Sequence, residues 1–141
     1  MSNKTSIFIT TNKLDLQSCY DFVQGSACGG ISVFVGTVRN STNSKEVKFL
    51  DFSGYEPMAI KEMKKIADRA IEEFDIHKIA IHHALGKLNI GEIPVIITVS
   101  SAHRKAAFEA CQFAIDTLKE TVPIWKKEYF SDGEVWVNAH P

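Results

Sequence analysis

The stretch PVIITVSSAHRKAAFEACQFAIDTLKETVP, residues 94–123, carries two different periodicities back to back. Residues 94–100 form a short apolar run rich in β-branched side chains, which predicts a buried strand. From residue 103 to about 122, Ala107, Ala110, Cys111, Ala114 and Leu118 recur at helical spacing, and Phe108 and Ile115 widen that stripe. Ser100 or Ser101 stands where an N-cap is needed, and Pro123 stops the helix because it can neither donate nor fit inside one. A buried strand therefore runs straight into a long amphipathic helix.

The flanking sequence extends this pattern. Residues 6–10 alternate as a short strand, and residues 15–23 suit a short helix with Leu16, Tyr20 and Val23 on one side. Residues 31–38, 47–55 and 77–84 read as strands. Alternation in the second of these sets Val47, Phe49, Asp51 and Ser53 against Leu50, Phe52 and Gly54. Residues 39–45 form a polar loop, and Gly86 and Gly91 bracket a short arm or turn. Pro57 opens a second long helix ending near Phe74, with Met58, Met63, Ile66, Ala67 and Ala70 on its apolar stripe. Residues 124–130 and 134–137 flank Ser131-Asp-Gly133 as a hairpin. Mixed strands interrupted by two long helices predict an α/β or α+β two-layer architecture.

A chain of 141 residues fits one domain spanning residues 1–141 and buries a core without disulfide staples. Net charge is -1, so no global basic field of the kind nucleic-acid binders use is present, and any cationic site must be local. Cys19, Cys28 and Cys111 show neither CxxC pairing nor zinc spacing and read as reduced thiols of a cytoplasmic protein. No run is apolar for long enough to span a membrane, and no signal-peptide pattern opens the chain.

Three groups of residues carry potential chemistry. His103 and Arg104 sit at a helix start, where cations oppose the dipole unless an anion is bound there; the alternative is a solvated surface with a Lys105–Glu109 pair. Lys119 lies in the last turn of the same helix, where a cation is at home for electrostatic reasons alone. Lys126 and Lys127 follow Trp125 on a strand, so they face opposite ways, and one can enter a pocket. Arg39 ends a buried strand after Gly36 and Thr37, at a rim where loops carry function. Phosphate-loop, nucleophile-elbow and histidine metal motifs are absent, so no metal is expected. His103 and Lys119 are about 24 Å apart along one helix, which is too far for one small pocket in one chain. Either there are two sites, or a second copy brings His103 and Arg104 to Lys119.

Specific strings join these residues. GISVFVGTVR (30–39), YEPMA (55–59), IHHALGKL (81–88) with IGE (90–92), VSSAHRKAAFEA (99–110) and LKETVPIWKKE (118–128) make the chain resemble the molybdopterin synthase large-subunit, or MoaE, family. The resemblance runs from about Gly29 to Val137. It implies an α/β fold with a hammerhead-type subdomain. The implied activity is sulfur transfer in molybdenum cofactor biosynthesis, in which two dithiolene sulfurs are inserted into a cyclic pyranopterin monophosphate. The implied donor is the C-terminal Gly-Gly thiocarboxylate of a small ubiquitin-like subunit. The implied assembly is a homodimer of large subunits within a heterotetramer, with no resident cofactor, no nucleic acid and no membrane. Carried over by motif, Lys119 and Lys126 match the essential lysines, and Arg39, His103 and Arg104 match the anion-binding set. Thr37, Val38, Lys127 and Glu128 fall in substrate-contacting segments. His83 departs from the family's usual arginine, and the His140-Pro141 end departs from the basic tail of many relatives. A phosphate-binding scaffold would keep Arg39, His103 and Arg104 without needing both lysines. A module for a ubiquitin-like tail would need no cationic cluster.

Overall fold

The computed structural model describes residues 3–138, so the His140-Pro141 end lies outside the described residues. The fold is mixed α+β, built on two sheets. In the first, β1 (Thr5–Thr10), β5 (Lys78–Ala84), β7 (Val95–Ser101) and β2 (Gly30–Gly36) lie in the order β1-β5-β7-β2. β1 and β5 are parallel, and the other neighbours are antiparallel. β7 is buried at every position, which its unbroken apolar run requires of a central strand covered on both faces.

Two long helices cover one face. α2 (Glu56–Glu73) begins with Pro57 in its first turn and buries Ala59, Met63, Ile66, Ala67 and Ala70. α3 (Arg104–Thr121) buries Ala107, Ala110, Cys111, Ala114 and Leu118. The expected stripes hold except at their edges: Met58 is exposed, and Phe108 is 59% exposed rather than packed against the core. The short helix α1 (Leu16–Val23) covers the opposite face, so the first sheet is sandwiched between helices rather than covered on one side. Leu14, Cys19 and Val23 pack there against Ala80, Ala84 and Ile96. Asp15 caps α1 by accepting from the Gln17 and Ser18 N–H groups.

The second sheet is built around the ten-residue strand β4 (Lys45–Gly54). Its order is β3 (Ser41–Thr42), β4, β8 (Ile124–Phe130) and β9 (Val135–Asn138), with β6 (Gly86–Asn89) also paired to β4. The polar loop thus contains a tight hairpin, turning at Asn43 and Ser44, both at positive φ as a two-residue turn demands. The glycine-bracketed arm is a strand, not a turn. The β8–β9 hairpin forms at Ser131–Gly133, with Gly133 at φ +92.

Strict alternation fails in β4. The register with β8 shifts between Val47 and Phe49, where a β-bulge accommodates one extra residue. Val47 therefore turns to the same buried side as Leu50 and Phe52.

Candidate active site

β8 presents Lys126 and Glu128 on its inner face and Trp125 and Lys127 on its outer face. Across the pairing, Lys126 stands opposite Phe52 and Glu128 opposite Leu50. These four side chains form one wall of a cavity of about 490 Å³. The first sheet supplies a second wall from a single cross-strand row, His83, Val95 and Gly36 on β5, β7 and β2. A side chain at Gly36 would meet Val95 Cγ1 at 2.7 Å, so glycine here keeps the row narrow. Phe34, Thr37, Arg39 and Thr42 close one side, and Ile115, Leu118 and Lys119 from the C-terminal end of α3 close another.

Three cations from separate elements thus share one cavity: Arg39 after β2, Lys119 from α3 and Lys126 from β8. Lys119 and Arg39 are exposed and Lys126 is half-buried. Burial lowers the Lys126 ammonium below its ordinary range; Glu128 pulls it back up, while Lys119 and Arg39 push it further down. Glu128 is buried, and its two oxygens accept from Thr42 Oγ1 at 2.7 Å and Asn138 Nδ2 at 3.1 Å. Among the described residues no ion pair joins it to Lys126, so the carboxylate braces the wall and biases the lysine from a distance.

Val38 and Lys127 do not line this cavity. Val38 is buried just behind its rim, with its N–H donating to Glu92 O and its carbonyl accepting from Gly91 N–H. These bonds fix the backbone between Thr37 and Arg39. Lys127 faces outward from β8, between Asp51 on β4 and Val137 on β9.

His103 and Arg104 lie at the other end of α3. They line a second, more open hollow of about 570 Å³ with Gly29, Ala102, Phe108 and Glu109. His103 is the N-cap but makes no side-chain capping bond. Ser101, two residues earlier, serves the helix instead: its hydroxyl accepts from the Ala107 N–H at 3.1 Å. One copy of the chain therefore brings Thr37, Arg39, Lys119, Lys126 and Glu128 together and keeps His103 and Arg104 apart from them.

The sequence reading did not select His83, Phe34 or Phe52 as site residues, although all three line the cavity. Adjacent histidines in an apolar strand were the visible signal, because the inward one has to be accommodated without charge.

A mixed α+β fold with a locally cationic cavity in a chain of net charge -1 is the arrangement expected of a protein that holds a small anion. The comparisons narrow that expectation. The profile described as MoaE protein matches residues 9–121. The molybdopterin synthase catalytic subunit of Dictyostelium discoideum is 46% identical over 94% of this chain and 87% of its own length. A crystal structure of molybdopterin synthase from Staphylococcus aureus superposes with a TM-score of 0.88 at 36% identity, covering 94% of this chain and 96% of that one. The fold is also that of a complex of subunits 1 and 2 of the molybdopterin-converting factor from Helicobacter pylori 26695, with a TM-score of 0.75 at 24% identity, covering 99% of this chain and 94% of that one. The chain belongs to the MoaE family.

Proposed function

We propose that the cavity bearing Arg39, Lys119 and Lys126 is where a cyclic pyranopterin monophosphate receives its two dithiolene sulfurs, each delivered by the C-terminal thiocarboxylate of a small ubiquitin-like subunit. The chain's activity is that of a molybdopterin synthase catalytic subunit, a sulfurtransferase of molybdenum cofactor biosynthesis. The observation that carries the site assignment is the convergence of three cations from separate elements on one cavity.

The chemistry suits these side chains. A phosphate needs fixed positive charge, and sulfur transfer from a thiocarboxylate passes through anionic tetrahedral species that the same cations stabilise. Lys126, with its proton affinity lowered by burial, exchanges protons with the reacting groups. Lys119 is exposed in the last turn of α3, where an incoming C-terminal tail can reach it, and works closest to the thiocarboxylate. Thr37 and Glu128 complete the wall, and Val38 and Lys127 support the segments on either side. His103 and Arg104 of a second copy complete the anion site, and the homodimer with two small subunits makes a heterotetramer. The relative from Helicobacter pylori, a complex of two subunits, is in keeping with a small partner. The chain works as one domain in the cytoplasm. Among the described residues no helix is long and apolar enough to cross a membrane.

Lys119→Ala is expected to abolish product formation from the pyranopterin precursor and the thiocarboxylated small subunit while leaving subunit association intact. Turnover at the unmodified rate would remove Lys119 from the mechanism. Mixing Arg104→Ala chains with Lys119→Ala chains is expected to restore part of the activity, because one of the two shared sites regains all its cations. No restoration would place each site within a single chain.

A further inference from the structure

Lys126 and Glu128 lie two positions apart on the inner face of β8, about 7 Å along the strand, so their side chains are long enough to meet. A carboxylate taken out of water needs donors, and an ammonium within reach is the strongest on offer. Glu128 is 4% exposed, yet among the described residues no ion pair joins it to Lys126. Its donors are neutral instead: Thr42 Oγ1 donates to Oε1 at 2.7 Å, and Asn138 Nδ2 donates to Oε2 at 3.1 Å. Both donors are fixed by the sheet. Thr42 ends β3 directly before the turn at Asn43 and Ser44 and pairs with Lys45 beyond it. Lys45 in turn pairs with Asp132 at 2.9 Å and with Glu134, which ties this hairpin to the turn between β8 and β9. Asn138 stands opposite Lys126 on β9, one diagonal step from Glu128.

The cavity turns Arg39 after β2, Lys119 from α3, His83 from β5 and Glu128 itself toward the space around Lys126, with Leu50 and Phe52 from β4. In the assembly proposed above, a second copy adds His103 and Arg104. Among the described lining residues Glu128 is the one carboxylate. Burial lowers the proton affinity of Lys126, Glu128 raises it, and Lys119 and Arg39 lower it again, so the place of that carboxylate matters. We infer that Thr42 and Asn138 are positioning residues: by engaging both Glu128 oxygens they hold the carboxylate off Lys126 and leave the amine free for substrate and for proton exchange. This role rests on the function proposed above and adds to it two residues that touch no reacting atom. Its loss has a definite sign. Without the Thr42 hydroxyl, Oε1 turns to the ammonium, the ion pair holds the proton on Lys126, and the amine stops serving as a base near neutral pH.

Thr42→Val keeps the branched shape and removes the donor, whereas Thr42→Ser keeps the donor. In the substrate-free protein, the Lys126 side-chain resonances followed against pH should show the proton leaving at higher pH in Thr42→Val and at the unsubstituted pH in Thr42→Ser. Turnover of the pyranopterin precursor with the thiocarboxylated small subunit should fall about tenfold at neutral pH in Thr42→Val and recover as the pH is raised. In a Glu128→Gln background, where no carboxylate remains to swing, adding Thr42→Val should not move the Lys126 titration. Asn138→Ala releases the other oxygen and should shift the titration in the same direction, which keeps the test open if Thr42→Val does not fold. A Lys126 titration that stays put or moves to lower pH in the folded variants would overturn the assignment. So would a loss of turnover equal at every pH, the mark of a merely structural residue. The broader function fails separately: it falls if the unsubstituted protein does not convert the precursor, whereas the Lys126 titration reads Thr42 and Asn138 with no substrate present.

Discussion

Cys19 Sγ lies 3.2 Å from His82 Nδ1, and His82 Nε2 lies 2.9 Å from Ser6 Oγ. On paper this is a thiol, a base and a hydroxyl in line, yet the electrostatics deny it nucleophilic chemistry. Burial, with Asp15 adding to it, raises the Cys19 thiol to about 11, and burial lowers the His82 imidazolium. Both groups are therefore neutral, and the row is an internal hydrogen-bond chain under α1. In the native protein at neutral pH, a thiol reagent should titrate one cysteine readily, the half-buried Cys28, and reach Cys19 and Cys111 only on unfolding. Rapid labelling of Cys19 would show that α1 opens far more easily than its packing implies. His83 gives a second prediction at this scale. The unfolded chain protonates this ring near 6.5 and the folded chain only near about 4. Its contribution to stability is thus full above pH 6.5 and declines as pH falls toward 4, by up to about 3 kcal/mol. Urea midpoints measured across that window should fall with pH, and His83→Gln should flatten the slope.

Among the elements, α3 and β7 were readable because each has its own period: an unbroken apolar run for a doubly covered strand, and a 3.6-residue stripe for the helix. β3 and β6 were not, because two and four residues carry no period and become strands only by pairing with β4. The β4 bulge was equally hidden, since an extra residue is defined by the partner strand it fails to match. The capping question shows how packing decides between equals. Both Ser100 and Ser101 are buried, but only the Ser101 hydroxyl bonds to the helix, and Ser100 Oγ has no partner among the described residues. Ser101→Ala should therefore cost about 1 kcal/mol, and Ser100→Ala should cost little or even stabilise, as chemical denaturation would measure. Equal losses would mean that the two serines share the role.

Across the whole molecule, the cationic residue types of the site were legible, but their grouping was not. Alternation along β8 already required Lys126 and Lys127 to part, and helix length already required His103 and Lys119 to part. Which lysine turned inward depended on where β8 meets β4, which is not written locally. The two cavities sit at opposite ends of α3, an 18-residue rod packed against the first sheet. One consequence concerns tolerance to changes in length. A single residue inserted in α3 moves everything beyond it by about 1.5 Å and turns it by about 100°. That would swing Lys119 out of register with Lys126 and, in a paired assembly, alter the reach from one copy's Arg104 to the other's Lys119. The same insertion in the Ser131–Gly133 turn lengthens only an exposed hairpin tip. Activity should therefore vanish in the first case and survive in the second, and the span of α3 should be the least negotiable dimension in the chain.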